Sequence, residues 1–464
     1  MKHLLIILGS FAFASILQVA NTVLLGRALG ISAVGEYGVF LSSIMLMAVL
    51  FQFGVRDFST IQFSGGEEKT THMGALLRVA LMMCSIMAVL LFVVSSEPGL
   101  SLGSYEFILD HSISFSIAVA LLVISSFFSG VALVKKDFVH LGFFRDYGRH
   151  FATFLLVIAL YALPELKNHF YFGWTALFLI LFFIFSLRYM PILKDTLRDK
   201  GGWSASFKKS SAYYFNDVLL NITALGDVLL LALFLAPTDL GIYFVCSRIA
   251  VLMNIFLTVV GSHNSPALAK LLVKGDHVSA ADIMSLTSKM LVFVSVPLVA
   301  LIFLFGPELL LLWGIDETNV LILELLFLGR FFNIITGNIG KYFVYSEKRH
   351  VEVVNNLISI ALMFALIIWL VPSYGVLGAA IANALVLIIA NIIKYIEFRY
   401  FFSIGYIGFI QVYYSIILIA ACVLFAYFVD VEPILMTFLF FFIYLGLTFP
   451  FANKDFRKYL IAVN

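Results

Sequence analysis

Charged residues are scarce in this sequence. Only 12% of the 464 residues are Asp, Glu, Lys or Arg, whereas 62% are hydrophobic, and the mean hydropathy is +1.06. Soluble domains usually carry about 25% charged residues, so the composition excludes an ordinary water-facing surface. The formal net charge is only +2, and we expect no nucleic-acid partner. We therefore predict an all-α polytopic membrane protein whose surroundings are the lipid bilayer.

Cysteine is rare as well, and common ligand motifs are missing. The three cysteines, Cys84, Cys246 and Cys422, lie far apart within apolar runs, so a disulfide framework or a metal site is not expected. The sequence has neither an HExxH pair nor a GxxxxGK[ST] phosphate loop, so it carries no ATPase motif of its own, and no cofactor is expected. Residues 1–14 imitate a signal peptide, but the apolar run continues to Leu25, so we expect it to be retained as the first helix.

Long apolar runs are abundant. A hydrocarbon core about 30 Å thick requires about 20 apolar residues per helix. Runs of suitable length predict about fourteen transmembrane helices, near residues 3–26, 33–55, 73–96, 112–134, 150–164, 169–187, 212–235, 239–262, 288–307, 318–340, 351–372, 376–393, 405–429 and 433–452.

The distribution of positive charge orients these helices. With a cytoplasmic N-terminus, 25 of the 29 Lys and Arg residues fall in inner segments, as the positive-inside rule requires. The outer loops are short and acidic. We therefore predict a multi-pass protein of the bacterial inner membrane with both termini in the cytoplasm.

Two stretches of about twenty residues resemble each other. Residues 21–40 (NTVLLGRALGISAVGEYGVF) and 227–246 (DVLLLALFLAPTDLGIYFVC) align without a gap. We interpret each copy as a helix, a polar elbow ended by Gly35 or Gly241, and a returning helix that contains Tyr37 or Tyr243. Chance matching of apolar sequence is the alternative, but the Gly and the Tyr keep their spacing, which favours duplication.

The offset between the copies predicts the domain organisation. It covers six helices, so both copies cross the membrane in the same sense and form parallel repeats. We predict an N-terminal lobe at 1–200, a C-terminal lobe at 201–400, and two extra helices with a cytoplasmic tail at 401–464.

Three segments resemble a known family. NTVLLGRALGISAVGEYGVF with FQFGVRDFSTIQFS, then GDVLLLALFLAPTDLGIYFVCSRI, then VPSYGVLGAAIA resemble polysaccharide exporters of the multidrug/oligosaccharidyl-lipid/polysaccharide superfamily, and most closely O-antigen flippases of the Wzx type. The resemblance implies transfer of an undecaprenyl-diphosphate-linked oligosaccharide from the cytoplasmic to the periplasmic leaflet.

Two arginines lie inside predicted helices. A charge at the bilayer centre costs about 2.5–3.5 kcal/mol or more, so it usually faces a cavity or a partner. Guanidinium binds diphosphate in a bidentate manner, so Arg248 and Arg330 are candidate substrate ligands in a central cavity. Lys341 lies eleven residues after Arg330, three turns along one helix, and Asn333 would share that face. The alternatives are ion pairs of Arg248 with Asp227 and of Arg330 with Glu324.

Other polar residues have two interpretations each. Arg56, Arg78, Arg145 and Arg149 cluster at the predicted inner mouths, where they either recruit the anionic head group or act as anchors near anionic lipid. Asp217 and Asp227 either carry a coupling ion or make polar contacts between helices.

We therefore expect an alternating-access flippase with no enzymatic step. A polysaccharide polymerase and a chain-length regulator are possible partners. A cation-coupled drug or metabolite exporter of the same superfamily is one alternative, and it would favour a carboxylate-dominated cavity. A membrane glycosyl polymerase is another, but it would need a large outer loop. A purely structural partner of a polymerase would not explain the buried arginines.

Overall fold

The computed structural model describes residues 2–64, 73–96, 105–198, 201–337, 339–346 and 348–405. Within these ranges the chain is helical and contains no strand. The helices are α1 Lys2–Leu29, α2 Ile31–Gln52, α3 Val55–Ser64, α4 Met73–Ser95, α5 Glu106–Asp110, α6 Ser112–Val134, α7 Phe138–Gly142, α8 Gly148–Ala162, α9 Phe170–Ser186, α10 Met190–Arg198, α11 Trp203–Leu231, α12 Pro237–Val251, α13 Asn254–Val273, α14 His277–Leu311, α15 Val320–Ile335, α16 Ile339–Tyr345 and α17 Arg349–Phe402.

Nine helices in the described part of the chain are long and apolar enough to cross a membrane. Their outer faces carry exposed large side chains, as on α4, where Val89, Leu90 and Phe92 are each more than half exposed. An apolar surface of this extent belongs in hydrocarbon. The protein is therefore a multi-pass membrane protein, as the composition predicts.

Most of the predicted runs correspond to helices. The separation of 150–164 from 169–187 is confirmed, because a 3₁₀ turn at Pro164–His169 divides α8 from α9. The separation of 351–372 from 376–393 is also confirmed, since α17 is interrupted at Gly375, whose φ is 53°. The predicted helices 405–429 and 433–452 fall almost wholly on residues 406–464, outside the described residues, and the count of fourteen stays a prediction.

Two predicted helices are broken instead of continuous. Run 239–262 divides into α12, which ends at Val251, and α13, which begins at Asn254. Run 318–340 is interrupted where α15 ends at Ile335, because Gly337 has a φ of 62°. Hydropathy detects the length of an apolar run but does not detect a local change of backbone direction within it.

The chain forms two compact units, Met1–Val245 and Cys246–Asn464. Aromatic rings fill the core of the first: Phe40 lies edge-on to Phe115 and Trp174, with ring centroids 5.9 and 5.6 Å apart. In the second, Tyr342 packs against Phe398 in a buried cluster with centroids 4.8 Å apart. The predicted lobes and the C-terminal extension stay predictions.

The repeat glycines have a different role from the predicted one. Gly35 lies inside α2 and Gly241 inside α12, so the prediction that they end the elbows is wrong. A Cβ on Gly35 would collide with the carbonyl oxygen of Pro237, and a Cβ on Gly241 with that of Ile31. The same offset relates Ile31 to Pro237 and Gly35 to Gly241. The contact is therefore reciprocal, which favours duplication over chance.

Candidate functional site

A polar cavity of about 110 Å³ lies in the first unit. Helices α2, α3, α6, α8 and α11 line it, together with the turn between α7 and α8. Its lining includes three guanidinium groups and several neutral polar groups: Gln52, Arg56, Ser126, Ser129, Arg145, Arg149 and Asn221.

The break between α2 and α3 positions Arg56. Phe53 and Gly54 both have positive φ values, 50° and 71°, which ends α2 and starts α3 in a new direction. A Cβ on Gly54 would lie 2.9 Å from the backbone nitrogen of Tyr214 and 3.0 Å from the carbonyl oxygen of Ser210. Only glycine allows this junction to pack directly on the backbone of α11. As a result, Arg56 reaches the buried carboxylate that α11 carries.

That carboxylate belongs to Asp217, which is only 4% exposed. It accepts hydrogen bonds from Arg56 Nη2 and Gln52 Nε2, both at 3.4 Å. Arg56 Nε also donates to Asp57 at 3.2 Å. Both predicted residues, Arg56 and Asp217, therefore lie at the same site, and they form an ion pair there.

A π-helical turn at Phe143–Tyr147 carries the second guanidinium. Such turns often occur at functional sites. Arg145 donates through Nε and Nη2 to the two carboxylate oxygens of Asp146, at 2.8 Å each. This bidentate pair engages most of the donors on one edge of Arg145.

Arg149 differs from the other two cavity arginines. Its Nη1 donates to the backbone oxygen of Arg145 at 3.1 Å, and its buried Nε has no hydrogen-bond partner. Within the part of the chain that the structure describes, Arg149 makes no direct ion pair, and the carboxylate that acts on it electrostatically, Asp146, is already bound to Arg145. It is therefore the cavity arginine whose charge is available to a ligand.

Hydrogen bonds from three other helices hold the backbone of α8 near Arg149. Thr153 Oγ1 donates to the carbonyl oxygen of Arg149 at 3.0 Å and contacts Tyr37 Oη and Trp174 Nε1, both at 2.8 Å. Asn21 Nδ2 donates to the carbonyl oxygen of His150 at 2.7 Å. These contacts join α1, α2 and α9 to α8 beside the cavity.

The turn between α6 and α7 has its own polar centre, Asp137. Its carboxylate accepts from His140 at 2.9 Å, Arg188 at 2.8 Å and Tyr189 at 2.9 Å. Burial opposes ionisation, but the hydrogen bonds from His140 and Tyr189 outweigh it and hold the pKa of Asp137 below its ordinary value. This turn leads directly into the π-helical turn that carries Arg145.

Three of the four arginines predicted at the inner mouths meet in the cavity, and one does not. Arg78 lies elsewhere, where its Nη1 donates to the carbonyl oxygen of Leu197 at 2.7 Å. The predictions missed Gln52, Ser126 and Ser129. Ser126 and Ser129, three residues apart on α6, indicate a polar helix face. Gln52 is a single polar residue at the end of α2 and belongs to no such pattern.

Two predicted site residues of the second unit, Lys341 and Asn333, have different hydrogen-bond partners. Lys341 Nζ donates to Ser265 Oγ at 3.1 Å, and burial lowers the pKa of Lys341. Asn333 Oδ1 accepts from Asn391 Nδ2 at 3.2 Å. The argument that Arg330 and Lys341 share a face of one helix is wrong, because α15 ends between them.

Asp227 lies on α11 and Arg248 on α12. Arg248 lies in the last turn of α12, where its Nε donates to Ser247 Oγ at 3.3 Å. Asp227 is buried and accepts from Tyr243 Oη at 2.7 Å. The roles of Arg248 in substrate binding and of Asp227 in ion coupling stay predictions.

No protein-family model matches this sequence, and no curated protein matches it significantly. Solved structures do resemble it. The lipid II flippase MurJ in an inward closed conformation superposes with a TM-score of 0.71 at 16% identity, covering 95% of this chain and 98% of that chain. A mutant of the Vibrio cholerae MATE transporter VcmN gives 0.57 at 14% identity, covering 86% and 96%.

A MOP-superfamily transporter from Pyrococcus furiosus, described as having a binding pocket of reverse polarity, gives a TM-score of 0.58 at 13% identity, covering 86% of this chain and 95% of that chain. The chain shares its fold with these three transporter structures. This similarity confirms the all-α architecture. Identities this low show the fold alone, and the substrate has to be argued from the site.

Proposed function

We propose that the protein flips a lipid-linked oligosaccharide from the cytoplasmic to the periplasmic leaflet by alternating access. The carrier is a polyprenyl diphosphate such as undecaprenyl diphosphate, and the product serves surface-polysaccharide synthesis of the O-antigen kind. The observation that supports this proposal most is Arg149, a cationic group on a polar cavity that makes no direct ion pair among the described residues. A diphosphate supplies the missing negative charge.

The cavity suits the head group of such a lipid. The cavity, at about 110 Å³, is of a size for a small anionic group and is small for an oligosaccharide. The sugar chain therefore requires a wider opening than the one described. Ser126, Ser129 and Asn221 add neutral polar groups around the charge.

The fold is compatible with this proposal, since one structure that shares it is a lipid II flippase. A cation-coupled drug exporter is the weaker candidate. The cavity carboxylates are already engaged, since Asp146 binds Arg145 and Asp217 binds Arg56. Arg149 is the cavity cation that makes no direct ion pair, and it favours an anionic ligand.

Deletion of the gene tests this function in the native bacterium. We expect lipid-linked repeat units to accumulate in the cytoplasmic leaflet, and we expect the wild-type gene to release them to the periplasm. Arg149→Ala should fail to do so because the head group loses its ligand. The control is Arg78→Ala, which removes an arginine outside the cavity and should complement.

Two results would contradict the proposal. Repeat units that reach the periplasm in the deletion strain and stay unpolymerised would indicate a polymerase instead. Full complementation by Arg149→Ala, at normal protein levels, would exclude the cavity as the head-group site. A polymerase and a chain-length regulator are the proposed partners, and Arg248, Arg330, Lys341 and Asn333 stay proposed substrate contacts.

A further inference from the structure

Asp217 is a buried carboxylate whose charge depends on one removable partner. It lies on α11 and is 4% exposed. Arg56 Nη2 supplies its counter-charge at 3.4 Å, and the neutral amide of Gln52 supplies the second contact at the same distance. Both contacts are long for hydrogen bonds to a charged group, which are usually about 2.7–2.9 Å. The ion pair is therefore loosely made.

The other charged groups near Asp217 do not replace Arg56. Helices α2, α3 and α4 pack against α11. On α2 the neighbour is Gln52, which does not titrate, and α3 adds Asp57, a second carboxylate that also binds Arg56. On α4, Arg78 donates to the carbonyl oxygen of Leu197.

The polar and aromatic groups on α11 and across the cavity, apart from Arg149, also have partners other than the Asp217 carboxylate. On α11, Asn221 Nδ2 donates to the backbone oxygen of Asp217 at 2.8 Å, and Tyr214 packs its ring on Phe53. Across the cavity, Arg145 is paired with Asp146, and Arg149 is the group available to a ligand.

An anionic ligand in this cavity changes the surroundings of Asp217 in two ways. A diphosphate bound by Arg149 competes with Asp217 for Arg56, so the carboxylate loses its counter-charge. The ligand also places new negative charge beside the carboxylate. Loss of an opposite charge and gain of a like charge both favour the neutral form of a carboxyl group, and burial adds to the cost of the ionised form.

We propose that Asp217 is a proton-binding site linked to the substrate: its carboxylate takes a proton from water when the diphosphate occupies the cavity and returns it when the diphosphate leaves. This inference rests on the proposed function, because it requires an anionic ligand at Arg149 and Arg56. It gives the carboxylate a role in transport that a static ion pair does not have.

Linkage fixes the direction of the pH effect. The ligand-bound protein holds more protons than the free protein, so binding strengthens as the pH falls. For one linked proton the dissociation constant rises by up to about tenfold per pH unit. The effect disappears where Asp217 carries the proton in both states or in neither.

The test uses the purified full-length protein in lipid nanodiscs. The probe is a short-chain prenyl-diphosphate-N-acetylglucosamine, a diphosphate diester that exchanges no proton near neutral pH. Calorimetric titration in two buffers of different ionisation enthalpy measures the protons taken up per bound ligand. We expect the wild type to take up protons on binding the probe, and we expect its affinity to weaken as the pH rises.

Two matched variants separate Asp217 from its neighbour. Asp217→Asn keeps the shape and can still accept from Arg56, and we expect it to bind the probe with no proton uptake and a flat pH profile. Asp57→Asn removes the other carboxylate on Arg56 and should keep the proton uptake.

Unchanged proton uptake in Asp217→Asn, or wild-type binding without proton uptake, would overturn the proton site and leave the flippase proposal standing. Absence of probe binding by the wild type would contradict the flippase proposal itself.

Discussion

Three arginines line one cavity, and their different partners matter more than their number. Arg145 is held by Asp146 and Arg56 by Asp57 and Asp217, whereas Arg149 donates to a backbone oxygen. A buried guanidinium without a carboxylate partner is costly in a membrane protein. A function that requires an anion in the cavity explains its presence.

The hydroxyl of Thr153 should be essential for holding α8 in place. Thr153→Val removes the acceptor for Trp174 Nε1 and Tyr37 Oη and leaves both donors buried. An unsatisfied buried donor costs about 1–3 kcal/mol, so we expect a clear fall in the thermal unfolding temperature of the detergent-solubilised protein. The control is Thr223→Val. Thr223 is exposed and its hydroxyl donates to the Leu219 oxygen of its own helix, so this variant should unfold at almost the same temperature as the wild type. Equal stability of the two variants would exclude this role for Thr153.

At the scale of the helices, interruptions of the helical backbone position the arginines. Arg56 follows the α2–α3 junction, Arg145 lies in a π-helical turn, and Arg248 lies in the last turn before α13. Long apolar helices supply the membrane-spanning framework, and short irregular segments turn polar side chains inward. Irregular backbone is tolerated at membrane depth where protein buries it or a cavity lies beside it.

The reciprocal contact of α2 with α12 should tolerate no added methyl group. Gly35→Ala places a Cβ against the carbonyl oxygen of Pro237, where backbone has to shift. Overpacking of this kind costs about 1–3 kcal/mol, so the unfolding temperature in detergent should fall. Gly9→Ala on α1 is the control, since a Cβ there meets nothing within 4 Å. A Gly35→Ala protein as stable as the wild type would show that the two helices lie further apart than described.

Apolar run length predicted the helices well because burial in hydrocarbon depends on composition. The sequence could not locate the breaks at Phe53–Gly54, Leu252–Met253 and Gly337. Positive φ values mark the first and the last, and at Gly54 the backbone also packs closely on α11. Of the four arginines predicted to cluster, Arg56, Arg145 and Arg149 lie on one cavity and Arg78 does not. The sequence does not predict that Arg56 pairs with Asp217 or that Arg145 pairs with Asp146. Gln52 was missed because a single glutamine at a helix end has no distinctive pattern.

At the scale of the whole molecule, the topology is the property on which the transport direction depends. The charge bias predicts that the turn at Lys136 lies in the cytoplasm and that the 3₁₀ turn at Pro164–His169 lies outside. Cysteines introduced at Lys136 and Lys167 distinguish these sides. A membrane-impermeant maleimide should label only Lys167→Cys in cells whose inner membrane is intact, and both variants after the membrane is opened. Labelling of Lys136→Cys in intact cells would reverse the predicted orientation.

Reconstituted proteoliposomes measure whether this protein moves a lipid-linked oligosaccharide between leaflets. A fluorescent polyprenyl-diphosphate oligosaccharide is placed in both leaflets, and external dithionite bleaches the outer pool. We predict that the wild type allows the inner pool to be bleached as well, and that Arg78→Ala does so at a similar rate. With Arg149→Ala we predict that the inner pool is protected. An inner pool that stays protected with the wild type, as in protein-free liposomes, would contradict transport of this lipid by the protein.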